Sequence, residues 1–244
     1  MAGNPTLNQN NLDRFAADNN GVAMTVEGAA NKALILFGIM LASSMGSWII
    51  AASSKGLAIP MMFAGLIVGF ILSLVMIFKP PTAPVLAPVY AVCEGLLLGV
   101  ISMVFNDKYS GIVFNAALIT LSLLGGLLFL YRTGIVKVTE KFRAIVFGAT
   151  AAIALTYLIS ILMRVFFKSP MPLIHDSGPI GIGFSLLAIV IAGMNFLVDF
   201  DNFEQLANAK APKYMEWYCG YAILVTLVWM YLEVLRLLAK LQRN

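Results

Sequence analysis

Long apolar blocks separated by short polar links dominate the chain. A polar stretch of about 30 residues comes first and holds Asn8, Asn10, Asn11, Asn19 and Asn20. Seven blocks then reach the roughly 20 residues needed to cross a bilayer. They run over Ala33–Ser53, Leu57–Phe78, Pro84–Phe105, Gly111–Tyr131, Ala144–Phe167, Pro179–Val198 and Tyr218–Leu238. None alternates apolar with polar residues in segments of about ten, so a β-barrel is excluded. In lipid each backbone group must pair within its own segment, which leaves helices. The pattern predicts an all-α, polytopic membrane protein: a polar N-terminal tail over 1–30 and a seven-helix transmembrane bundle over 31–244.

The links sharpen this picture. Ser54–Lys55–Gly56 is so short that the first two helices must be antiparallel neighbours. Lys79–Pro80–Pro81–Thr82–Ala83 reads as a helix stop followed by a restart. The two longer links are Arg132–Arg143, which is basic, and Phe200–Trp217, which is mixed. No internal repeat is visible, which argues against an inverted-repeat transporter. The N-terminal stretch lacks the basic start and immediate apolar core of a signal peptide.

Composition agrees. Of the 244 residues, 60% are hydrophobic and 11% are charged, with a mean hydropathy of +0.89. An ordinary soluble domain carries roughly 25% charged residues. Too little charge is present to cover a globular surface, which excludes a soluble enzyme, a disordered chain and a nucleic-acid-binding module. The net charge of +4 and pI of about 9.1 do not restore a nucleic-acid partner, because the basic residues fall between the blocks. They read as orientation signals. With the N-terminus inside, Arg14, Lys32, Lys79, Arg132, Lys137, Lys141, Arg143, Lys210 and Lys213 lie inside, against Lys55, Lys108, Arg164 and Lys168 outside. Seven crossings place Arg236, Lys240 and Arg243 outside, which works against this orientation. Either the last block crosses with a basic end, or it folds back; its length favours crossing.

Acids at lipid depth are costly and mark pathways or buried pairs. Four stand out: Glu94, Asp199, Glu216 and Glu233. Glu94 lies near the middle of the third block, where a carboxyl group must face the bundle interior, protonated or paired. It reads as an ion or proton site, or as a hydrogen bond between helices. Gly95 and Gly99, four apart, allow a close helix approach beside it. Asn195, Asp199 and Asn202 share a face if the sixth helix continues. Either Asp199 lines an aqueous cavity with Asp201 and Glu204 at its mouth, or the group is a solvated helix end at the membrane surface; the first reading is favoured for Asp199 and the second for Asp201 and Glu204. In the last block Cys219, Thr226, Glu233 and Lys240 recur every seventh position and form one stripe facing protein or water. Arg236 pairs with Glu233 along the helix, reaches Glu94 on another helix, or snorkels to the headgroups.

Other chemistry is thin. Cys93 and Cys219 sit in apolar blocks and read as packing residues. The lone His175 lies in a loop and has no zinc-ligand companions. No serine-nucleophile motif or phosphate-binding loop is present. No enzyme activity and no cofactor is expected.

Three stretches resemble the Bax inhibitor-1 family, the transmembrane Bax inhibitor motif proteins: Tyr90-Ala-Val-Cys-Glu-Gly-Leu-Leu-Leu-Gly99, Phe196-Leu-Val-Asp-Phe200 and Tyr231-Leu-Glu-Val-Leu-Arg-Leu-Leu-Ala-Lys240. The run Ala211-Pro-Lys-Tyr-Met-Glu-Trp-Tyr218 looks like a bacterial branch of that family. The resemblance implies seven helices, six of them around the last. It also implies a pH-sensitive calcium leak. In that family an aspartate on the sixth helix pairs with one on the seventh to sense protons. Asp199 matches the first. The second falls on Thr226, whose hydroxyl cannot share a proton as a carboxylate does. Glu94 and Arg236 match the family's acid on the third helix and its basic residue near the end of the last.

These readings combine into an expectation. The protein is a low-flux cation leak in an inner membrane, with Glu94, Asp199, Thr226 and Glu233 along the path. Arg236 holds Glu94 in the closed state, and Glu94 and Asp199 touch calcium only transiently. The alternative is a non-transporting membrane regulator that binds a membrane protease or another membrane complex through its polar tail.

Overall fold

The structure, a computed structural model, describes residues 23–167 and 177–243; most of the polar tail and His175 lie outside them. Among the described residues the elements are seven α-helices and one short 3-10 turn. The helices are α1 (Val26–Ser53), α2 (Lys55–Phe78), α3 (Ala83–Lys108), α4 (Ile112–Arg132), α5 (Glu140–Phe167), α6 (Pro179–Asn208) and α7 (Met215–Leu241). Pro80–Thr82 forms the 3-10 turn, at the stop and restart between α2 and α3. All seven helices are long and apolar enough to cross a membrane. The all-α class and the seven spans therefore stand.

Two boundaries differ from the sequence reading. The first helix begins at Val26, ahead of Ala33, because Thr25 caps it: its Oγ1 accepts a hydrogen bond from Gly28 N at 2.9 Å. Such a cap satisfies one of the otherwise unpaired amides of a first turn. Hydropathy does not register it, since Thr25, Glu27 and Lys32 are polar. The expected link over Phe200–Trp217 is mostly helix. α6 continues to Asn208, with Phe203 and Leu206 buried on one side. On that extension Gln205 Nε2 donates to Asp201 Oδ2 at 2.6 Å. These features make it an amphipathic turn rather than a loop. The last block is one uninterrupted 27-residue helix. At 1.5 Å per residue it spans roughly 40 Å, enough to cross. It does not fold back.

The chain divides into two compact units. The first holds the described residues up to Asp107 with Asp199–Val225. Here α1 and α3 press backbone to backbone. Ser43 Oγ donates to Val92 O at 2.8 Å, and Ser47 Oγ donates to Gly95 O at 3.1 Å. A Cβ on Gly95 would stand 2.5 Å from Met40 O, and one on Gly99 would overlap Ser47 Oγ. The glycine pair is thus what lets the two helices meet, and serine hydroxyls tie the seam. Lys32 Nζ of α1 lies 4.7 Å from the ring centre of Trp217 at the start of α7.

The second unit holds Lys108–Val198 and the chain from Thr226 onward. Its core joins Ile153 of α5 to Ala188 and Ile191 of α6, with Tyr157, Phe184 and Trp229 packed around them. Asn195 Nδ2 donates to Thr150 Oγ1 at 2.8 Å, a polar tie between α5 and α6.

Large apolar side chains remain exposed along α2 and α5, among them Ile59, Phe63, Phe70, Phe147 and Val165. On a chain of this composition these are lipid-facing surfaces. The most enclosed spans are α3, α6 and α7, whose most apolar stretches are 50%, 44% and 50% buried, against 17% for the other four. The enclosed helices are the ones that carry Glu94, Asp199 and Glu233.

Candidate functional site

In the first unit, Glu94 sits on α3 one turn after Tyr90, and the two side chains are hydrogen-bonded. The other Glu94 oxygen, Oε2, is buried and has no partner among the described residues. Tyr90 meets Tyr221 of α7 edge-on, with ring centres 4.9 Å apart. The Tyr221 hydroxyl in turn is hydrogen-bonded to Ser73 Oγ of α2. Gly69 faces this group: a Cβ there would lie 3.7 Å from Glu94 Oε1. α2, α3 and α7 therefore surround one carboxyl group with hydroxyls inside an apolar shell. Composition marked Glu94 but not Tyr221 or Ser73, which come from helices far apart in sequence.

Asp199 and Asn202 of α6 line a cavity of about 190 Å³ with Phe203, Leu206, Met215, Tyr218, Cys219 and Ala222. The continued helix puts both polar residues on this face, as their spacing suggests. Asp201 and Glu204 do not line it, and Glu204 is exposed. Glu94 is not part of its lining either.

In the second unit, Glu233 of α7 is fully enclosed at 0% exposure. Its Oε1 accepts from Tyr157 Oη at 2.6 Å, Arg236 Nη1 at 2.8 Å and Trp229 Nε1 at 3.2 Å. The guanidinium also stands 5.0 Å from the Tyr157 ring centre. Of the partners weighed for Arg236, the structure supplies Glu233. Glu233 Oε2 is buried with no partner among the described residues. Thr226 is 8% exposed, and the whole stripe of Cys219, Thr226, Glu233 and Lys240 is buried. Lys240 donates to Gly181 O at 2.8 Å and Ser185 Oγ at 2.9 Å. It is a ligand of the start of α6, not a headgroup anchor.

Glu216 is the acid whose role the sequence left open. It is 1% exposed in the first turn of α7, and its Oε1 accepts from Lys213 Nζ at 2.7 Å and from Thr25 N at 3.1 Å. Thr25 precedes it by 191 positions, a distance over which no local pattern gives a signal.

Among the described residues no three or more His, Cys, Asp or Glu side chains gather at metal-binding spacing. The acids are dispersed, each in its own polar surroundings.

Seven apolar helices with carboxyl groups held inside the enclosed ones define a multi-pass integral membrane protein. The chain belongs to the Bax inhibitor 1 like family, whose profile matches residues 4–243. No curated protein and no solved structure matches it.

Proposed function

We propose that the protein is a low-flux cation leak with calcium as its cargo, seated in a bacterial inner membrane. The observation that carries this reading is Glu94: a carboxyl group in mid-span with one buried oxygen unpartnered among the described residues. Burying a carboxyl oxygen without a protein donor is costly. A passing cation offsets that cost.

Calcium takes six to eight oxygens at about 2.3–2.6 Å. A leak must hold the ion loosely enough for it to leave. Dispersed single carboxylates suit that need better than a closed cage. Glu94 contributes Oε2 beside the Tyr90 hydroxyl, and Asp199 with Asn202 contributes oxygens to its cavity. On α7, Thr226 adds a hydroxyl and Glu233 its bare Oε2. Arg236 neutralises Glu233 in this state, so on this reading its gating role acts on Glu233 rather than on Glu94. The placement in an inner membrane is supported by the Ala211–Tyr218 run.

The test is calcium flux in proteoliposomes holding the wild type, Glu94→Gln or Asp199→Asn. The reading expects flux above that of empty vesicles for the wild type and a clear reduction in both variants. Equal flux in all three contradicts it. A non-transporting regulator of a membrane protease or complex would show no flux above empty vesicles.

A further inference from the structure

The chain just before α1 is fastened to the α6–α7 connection. Ala23 pairs with Pro212 in an antiparallel bridge, and Met24 N donates to Ala211 O at 2.8 Å. Thr25 then contributes both its amide, at 3.1 Å, and its hydroxyl, at 3.3 Å, to Glu216 Oε1. Lys213 holds the same oxygen at 2.7 Å. A Cβ on Gly28 would overlap the Glu216 carboxyl group, so the first turn of α1 lies directly against it.

This fastening backs the wall of the Asp199 cavity. Met24 is 2% exposed and belongs to one apolar cluster with Phe203, Leu206, Met215 and Cys219. Those four residues also line the cavity. Thr25 and Lys213 meet on one carboxylate oxygen, so losing that oxygen leaves the strap held only by its backbone contacts to Ala211 and Pro212 and by apolar packing.

We propose that Ala23–Gly28 is a strap, fastened by Glu216, that braces the inner wall of the Asp199 cavity, and that its release widens the cavity and exposes Cys219. The function of the strap deepens the leak reading, but its existence does not depend on it. Cys219 gives a readout separate from flux. It lines the cavity yet is only 3% exposed, so a thiol reagent reaches its sulfur when the wall parts.

The test measures labelling of Cys219 by a maleimide in membrane vesicles, with Cys93 replaced by Ala and the Cys219 peptide read by mass spectrometry. Glu216→Ala should speed labelling about tenfold or more, the equivalent of losing hydrogen bonds to a charged acceptor. The second variant, Ala23→Cys with Pro212→Cys, uses the bridge geometry, whose Cα separation suits a disulfide. Oxidising that pair should slow Cys219 labelling, and reduction should restore it, within one folded protein. Cys219 labelling that is the same in the bridged and reduced forms overturns the strap, whatever the flux. Labelling that follows the strap in a protein without calcium flux supports the strap and removes the leak.

Discussion

Glu233 and Arg236 stand one turn apart on α7 and meet at 2.8 Å, with the carboxyl group fully enclosed and the guanidinium side chain 44% exposed. The pair joins the interior of the second unit to its surface. Tyr157 and Trp229 complete the set of donors on Glu233 Oε1. Removing the cation strands a buried carboxyl group. Arg236→Met should therefore lower stability by about 1.5–3 kcal/mol, the range for a hydrogen bond to a charged group. The partial exposure of Arg236 keeps the effect below that of a fully buried pair. Tyr157→Phe should cost about 1 kcal/mol. Melting midpoints in detergent check both. The double variant Glu233→Gln, Arg236→Met should be less damaged than the sum of the singles.

The α1–α3 seam gives a steric prediction. A Cβ on Gly99 would overlap Ser47 Oγ and Ser44 O. Gly99→Ala should cost about 1–3 kcal/mol as overpacking, and Gly99→Val more. Gly38, beside whose Cβ position nothing lies within 4 Å, is the control. Gly38→Ala should leave the melting midpoint unchanged or slightly raised, since alanine is the better helix former.

The basic end of α7 opposes an N-terminus-inside orientation less than its three cations suggest, since of them only Arg243 is both exposed and outside the contacts that hold the other two. Lys240 is enclosed by Gly181 and Ser185, and Arg236 is paired with Glu233. Neither is a free cation awaiting the cytoplasmic surface, which is what the charge rule counts. Reporter fusions should place the N-terminus in the cytoplasm and the C-terminus on the other side. Lys240→Gln should leave that orientation unchanged while lowering the melting midpoint.

Much of this was legible in the chain. Blocks of about 20 apolar residues dictate helices in lipid, and of the protein or water that the α7 stripe of Cys219, Thr226, Glu233 and Lys240 could face, the structure supplies protein. Helical spacing offered Glu233 as one partner for Arg236, the one the structure supplies in place of the expected hold on Glu94. Two kinds of feature escaped. Helix ends were misplaced where polar residues sustain a helix past the lipid, as Asp201 and Gln205 do, because hydropathy reports burial and not backbone pairing. Partners from distant segments were invisible: Thr25 for Glu216, Tyr157 for Glu233, Tyr221 with Ser73 for the Glu94 site. Lys240 belongs both to the basic end that the charge rule counts and to the stripe, because a lysine near a helix end looks the same from sequence whether it meets headgroups or backbone carbonyls.

Thr226 carries a prediction about pH. Two carboxyl groups that share a site exchange a proton between them, whereas a carboxyl and a hydroxyl do not. If the protein leaks calcium, its flux should vary less steeply with pH than that of Thr226→Asp. Identical pH profiles would show that this position does not govern proton sensing.

Depth is tested by spin labels placed singly at positions 94 and 199, with the exposed Glu204 position as control. Relaxation by a water-soluble nickel chelate and by oxygen then reports the surroundings of each label. Sequestration of the two carboxyl groups within the membrane predicts that the chelate reaches positions 94 and 199 far less than position 204, with oxygen relatively favoured at 94. Chelate access at both sites equal to that at 204 would contradict it.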